Sequence, residues 1–227
     1  MSEFVFPPPA IPYGSVEGGG LYGVRRIFCV GRNYAEHARE MGGDEREPPF
    51  FFTKPADALS ASGAPMHYPP GTDNLHHEVE LVLALGAPAF EIGPHMAKNA
   101  IFGYACGLDM TRRDLQNAAR EKKQPWDLGK AFEQSAILGP IAPAARIGHP
   151  ARAAITLDVN GARRQAGDIG DMIWSPSEIL AALSRYYHLG PGDLIFTGTP
   201  AGVGPVRRGD ALAGAIAGVG GVAALIV

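Results

Sequence analysis

Glu78 and Glu80, with Asp109 further along the chain, are the side chains best placed by type and spacing to do chemistry. In a strand, residues of like parity share a face. In HEVELVLAL (77–85) this puts Glu78, Glu80, Val82 and Ala84 on one side, and Val79, Leu81, Leu83 and Leu85 on the other. A solvent-facing row stays polar, whereas this one continues apolar. Two carboxylates on a partly buried face repel each other and lose hydration unless a cation compensates them. A set made only of carboxylate oxygens favours a hard ion, Mg²⁺, Mn²⁺ or Ca²⁺, over zinc. Asp109 ends the run AIFGYACGL, where it can aim a third carboxylate at the same place. The spacing alone also fits an exposed glutamate edge with Asp109 opening a helix.

Two further groups could supply acid–base chemistry. His37 and Glu40 are three residues apart on an expected helix and so face the same way. A histidine oriented by a carboxylate deprotonates water near neutral pH, although a surface helical pair has the same spacing. Lys130, in the segment DLGKAF, fits either a buried cation that stabilises an oxyanion or a solvated loop residue. Gly198-Thr199-Pro200, followed by Gly202 and Gly204, makes a glycine-rich turn that matches neither the P-loop nor the dinucleotide fingerprint. His76 and His77 are adjacent and point to opposite faces of a strand, so at most one could join a metal.

The elements that must position these groups are mostly short strands. Residues 1–25 read as a Pro- and Gly-rich lead-in with one short strand, and 26–227 as a single catalytic domain. Strands are expected over 26–30, 48–54, 77–85 and 100–109, with residues 56–75 irregular. Asn33 and Glu36 have a capping-box spacing for a short helix that Gly42-Gly43 stops. Thr111 is expected to cap a helix from Arg112 to Lys123. Asn160-Gly161 lies between two alternating runs and marks a hairpin. Ser175-Pro176-Ser177-Glu178 opens a helix expected to reach about His188. LIFTG and a terminal VAALIV follow, the latter after a Gly-rich stretch. Strands outnumber helices without regular alternation, so the expected class is predominantly β (α+β) with a few short helices.

Composition narrows the function classes. At 227 residues the chain can bury a core without disulfides, and Gly 30 with Pro 20 fits many turns around short strands. A net charge of −3 with only isolated basic pairs, such as Arg25-Arg26, that fit solvated surface gives nothing to track a phosphate backbone, so no nucleic-acid partner is expected. Cys29 and Cys106 sit in apolar runs and are expected to be buried free thiols. The N-terminus lacks a signal-peptide pattern and no apolar run reaches spanning length. A cytoplasmic enzyme without membrane contact is the expectation.

Taken together, VGRNYAEHAREM (30–41), FFTKP (51–55), HHEVELVLALG (76–86), GYACGLDMTRRDLQ (103–116), PWDLGKAF (125–132), DVNG (158–161) and PGDLIFTGTPAGVGPV (191–206) resemble the fumarylacetoacetate hydrolase family over roughly residues 26–212. The resemblance implies that family's mixed β-roll, a homodimer, and Mg²⁺ or Mn²⁺ held by Glu78, Glu80 and Asp109. It implies His37 and Glu40 as the water-activating pair, Lys130 as electrophilic partner, and Arg113, Gln116 and Thr199 as substrate contacts. The substrate class is a small diketo acid. The pattern is similar to bacterial members that hydrolyse a C–C bond of 3-fumarylpyruvate in gentisate catabolism. Oxaloacetate decarboxylation or a broader acylpyruvase activity is the alternative.

Overall fold

In the computed structural model, residues 4–34 and 47–227 are described. The helix expected after Asn33, and with it His37 and Glu40, lies outside the described residues. Five strands position the site: β1 (Arg26–Gly31), β2 (Phe50–Lys54), β3 (Val79–Leu85), β4 (Ile101–Asp109) and β5 (Asp193–Phe196). They belong to one sheet with the order β2–β1–β5–β3–β4, continued by Ala136–Leu138 and Leu59–Ala61. The β1–β5 pairing is parallel, and β3 is antiparallel to both β5 and β4.

Parity explains why this sheet is central. Every residue of β3 is buried. Its odd residues Val79, Leu81, Leu83 and Leu85 enter a large core, and Val82 and Ala84 enter a second, smaller one. Strand β1 divides in the same way, with Phe28 and Val30 in the large core and Ile27 and Cys29 in the small one. The large core is closed by a five-stranded sheet that contributes Ile155, Leu157, Leu212 and Ile216, and by helix α3 (Pro176–Leu183) through Ile179, Leu180 and Leu183. Each large aliphatic side chain fully buried here is worth about 1.5–3 kcal/mol in transfer free energy. Glu80 and Asp109 share the parity of the small-core residues of their own strands, so the carboxylates face that side.

The sheet is curled. Lys54 at the end of β2 reaches Asp109 at the end of β4, although β1, β5 and β3 lie between those strands. A mostly β, curled sheet with few helices matches the expected class.

Several local expectations are corrected. The run 77–85 is not one strand with a single special face: Glu78 separates the short strand Leu75–His77 from β3, and both faces of β3 are buried. Thr111 does not cap the next helix. It lies in a two-residue strand, and helix α1 (Arg113–Glu121) starts with no side-chain cap. Residues 56–75 hold two short strands, Leu59–Ala61 and Pro65–Met66, each paired in parallel to a distant partner and so invisible to local pattern. The Gly-rich stretch before the last strand contains a further strand, Ala211–Ile216, and the lead-in forms a hairpin of Tyr13–Ser15 with Leu21–Gly23. Helix α3 has the expected capping box at Ser175 and Glu178 but stops at Leu183, short of the expected His188, whose carbonyl instead accepts from Arg25 and Arg26. Asn160 and Gly161 both take positive φ in the expected hairpin turn, and Cys29 and Cys106 are buried and free. No described helix is long and apolar enough to cross a membrane.

Candidate active site

One oxygen from each of Glu78, Glu80 and Asp109 lies within 4.8 Å of the other two, and all three residues are buried. Strand pairing brings them together. Glu80 stands opposite Gly107 in the β3–β4 ladder, and the amide of Asp109, the last residue of β4, donates to the Glu78 carbonyl at 2.9 Å.

Three cations surround them. Lys130, on the short helix α2 (Asp127–Lys130), donates to Glu78 Oε2 at 2.7 Å, Asp109 Oδ2 at 2.8 Å and Thr111 Oγ1 at 2.7 Å. All three of its ammonium hydrogens are therefore engaged. Burial pulls the Lys130 pKa down, but Asp109 and Glu78 outweigh it and hold the value above that of an ordinary lysine. Lys130 is thus a buried cation and not a loop residue in solvent. Gly129 makes this seat possible, since a Cβ there would lie 2.9 Å from the Gln116 backbone nitrogen. Arg113, at the start of α1, pairs with Glu78 and donates to Gln116 Oε1. Lys54 Nζ lies 2.8 Å from Asp109 Oδ1, and also donates to the carbonyls of Met110 and Lys130.

The compensation is uneven. Among the described residues Glu80 has no ion-pair partner, and the amide of Gly198 donates to its Oε2 at 2.7 Å. Burial, then Asp109, then Glu78 push the Glu80 pKa well above the usual carboxylate range. Asp109 Oδ1 makes no hydrogen bond despite the nearby ammonium. A buried carboxylate without a cation, with one oxygen from each of two further carboxylates within 4.8 Å, is the donor set a hard divalent cation takes. The residues present fit such an ion.

Gly198 holds φ +97, and a Cβ there would lie 2.8 Å from Asn33 Cβ, so only glycine brings this amide to Glu80. Thr199 Oγ1 donates to the Val79 carbonyl at 2.7 Å and accepts from Gln165 Nε2 at 2.8 Å. Gln165 Oε1 in turn meets His77 Nδ1 at 2.9 Å and the Val79 amide at 3.1 Å. His77 faces away to Gln165, and His76 meets Asn74 and Arg113, so neither histidine joins the carboxylate group.

Glu78, Glu80, Asp109, Arg113, Gln116, Lys130 and Thr199 therefore line one pocket. Sequence reasoning assigned no role to Lys54 or Gln165, and gave Thr111 only that of a helix cap. Lys54 shares the parity of Phe50 and Phe52 in FFFTK, a charged end to an otherwise aromatic row, and that was the available signal. Beside this pocket opens a cavity of about 700 Å³, walled by Phe50, Phe52 and Trp126 and sharing Arg32 and Lys130 with it.

Residues 26–227 match the family model described as Fumarylacetoacetate (FAA) hydrolase C-terminal. The chain belongs to the fumarylacetoacetate hydrolase family. A fumarylpyruvate hydrolase of a Ralstonia species is 49% identical over 173 residues, 76% of this chain and 90% of that protein. An oxaloacetate tautomerase of Escherichia coli (strain K12) is 41% identical over 192 residues, 84% of this chain and 88% of its own length. The crystal structure of fumarylpyruvate hydrolase from Pseudomonas aeruginosa in complex with Mn²⁺ and pyruvate superposes with a TM-score of 0.96 at 51% identity, covering 99% of each chain.

Proposed function

We propose that this enzyme hydrolyses a carbon–carbon bond of an acylpyruvate, most specifically 3-fumarylpyruvate, to give fumarate and pyruvate. The observation that carries the reading is the buried Glu78–Glu80–Asp109 set, in which Lys130 joins Glu78 to Asp109 and also lines the larger cavity beside it. Membership of the family makes the chain a hydrolase of carbon–carbon bonds, and the Mn²⁺ and pyruvate of the Pseudomonas aeruginosa structure support the metal and the substrate class.

Glu78, Glu80 and Asp109 would hold Mg²⁺ or Mn²⁺, which when bound supplies a Lewis acid that makes a pyruvate enolate an acceptable leaving group. Arg113 and Gln116 orient the pyruvyl carboxylate. His37, oriented by Glu40, takes a proton from water, and the hydroxide adds to the distal carbonyl. Lys130 trades one of its three hydrogen bonds for the developing oxyanion. The C–C bond then breaks, expelling the pyruvate enolate and leaving the acyl part as fumarate, and the enolate carbon takes up the proton that His37 removed from water. The resemblance carries with this reading a cytoplasmic homodimer.

The test is the substrate profile of metal-loaded enzyme on 3-fumarylpyruvate, acetylpyruvate and oxaloacetate. The expected result is the highest kcat/KM on 3-fumarylpyruvate, lost on chelation and restored by Mg²⁺ or Mn²⁺. No turnover of either acylpyruvate sinks the reading. Action on oxaloacetate is the second reading, favoured by the oxaloacetate tautomerase among the relatives. It needs no activated water, so it would survive His37→Ala.

A further inference from the structure

Arg32 lines both the carboxylate pocket and the larger aromatic cavity, and the mechanism above does not use it. Among the described residues its buried Nε has no hydrogen-bond partner and no carboxylate pairs with its guanidinium. The three carboxylates next door are already matched in number by Lys54, Lys130 and Arg113, which makes Arg32 a fourth cation. Its backbone is also costly, for φ is 57° in a residue that is not glycine.

The surroundings hold that conformation from the next residue. Asn33 Nδ2 donates to the carbonyls of Trp174 at 2.9 Å and Thr197 at 2.8 Å, and its Oδ1 accepts from the Trp174 amide at 2.8 Å. Its carbonyl accepts from Ile173 at 2.8 Å. Strain and an unmade hydrogen bond on one residue, both held in place by neighbours, are what a preorganised ligand contact looks like. An arginine fork recognises a carboxylate by two parallel hydrogen bonds. Arg113 and Gln116 line only the carboxylate pocket, which assigns them the pyruvyl end. Arg32 stands where a substrate passes into the larger cavity.

We propose that Arg32 determines specificity by binding a carboxylate at the far end of the substrate, so that the site selects acylpyruvates that are dicarboxylic acids. This rests on the acylpyruvate reading for which end of the substrate enters first.

The test measures binding, which does not require cleavage. Metal-loaded protein is titrated calorimetrically with 2-oxoheptanedioate, which matches 3-fumarylpyruvate in length, and with 2-oxoheptanoate, in which a methyl replaces the far carboxylate. Wild-type protein is expected to bind the diacid at least tenfold more tightly. Arg32→Gly suits the positive φ, so it is expected to fold, and it should bring the two ligands within twofold of each other while leaving 2-oxoheptanoate unchanged. Arg32→Lys should restore part of the preference. Equal loss of both ligands in Arg32→Gly, a preserved preference, or no preference in the wild type would each overturn the proposal. A protein that shows the Arg32-dependent preference yet cleaves no acylpyruvate would overturn the hydrolase reading and leave this one standing.

Discussion

Two buried carboxylate clusters in this molecule are built from the same ingredients and end in opposite states. Asp193, at the start of β5, takes the Nε atoms of Arg25 and Arg26 at 3.0 Å each on one oxygen. Its other oxygen accepts from their Nη2 atoms at 2.8 and 2.7 Å and from the Gly190 amide at 3.0 Å. Burial would raise its pKa, but the two guanidiniums hold it below the usual carboxylate value. Nothing in that cluster is left to bind. The Glu78–Glu80–Asp109 group has as many cations as carboxylates, yet Glu80 receives none and Asp109 keeps an oxygen without a hydrogen bond. A saturated cluster fastens the chain, whereas an unevenly compensated one keeps capacity for a ligand at a cost to stability.

The contrast breaks most readily at Glu80. Glu80→Gln should lower metal affinity by at least about 100-fold in a calorimetric titration, because the replacement is a neutral, weaker ligand. The metal-free variant should melt no lower than wild type, since the amide replaces a buried carboxyl whose ionisation burial, Asp109 and Glu78 all oppose. Full metal binding in that variant would end the distinction drawn here. His37→Ala should cut kcat on 3-fumarylpyruvate by about 10²–10⁴-fold with metal content unchanged, as expected for a lost general base. Activity within a few-fold of wild type would remove His37 from the mechanism.

Lys54→Met should cost less, about 10–100-fold in kcat/KM, by freeing Asp109 and the Lys130 carbonyl from their shared tether. The smallest effect on activity belongs to the saturated cluster. Asp193→Ala should leave kcat unchanged and lower stability by about 2 kcal/mol in urea melts, because the half-exposed arginines can rehydrate. A depressed folded-state pKa means that the Asp193 contribution is fully present above about pH 4 and is lost as pH falls through the lower folded value. Asp193→Asn should therefore flatten the acid limb of a stability–pH curve.

Much of the site was legible because its key feature is periodic. Strand parity placed Glu80 with Val82 and Ala84, and the run ending at Asp109 is an unbroken strand. Lys54 was not legible, because its contact with Asp109 depends on how far a sheet curls over four strand spacings, and no local pattern carries that. Thr111 looked like a helix cap because Ser and Thr favour that position. Its hydroxyl instead donates to the Asp109 carbonyl at 3.2 Å and accepts from Lys130, a tertiary demand that overrode the local preference. Arg25 and Arg26 read as a solvated pair because their shared partner, Asp193, is far away in sequence. The parallel pairings of Leu59–Ala61 and Pro65–Met66 were missed for the same reason.

The position of β3 between two cores has a consequence for how the protein opens. A ligand set carried on a surface loop can come apart by local fraying while the rest of the molecule stays folded. Here Glu80 is anchored on a strand whose every residue is buried, so its amide should exchange hydrogen only through openings that approach global unfolding. Metal that binds only the folded chain would then slow exchange throughout both cores by one common factor, set by free metal concentration over its dissociation constant.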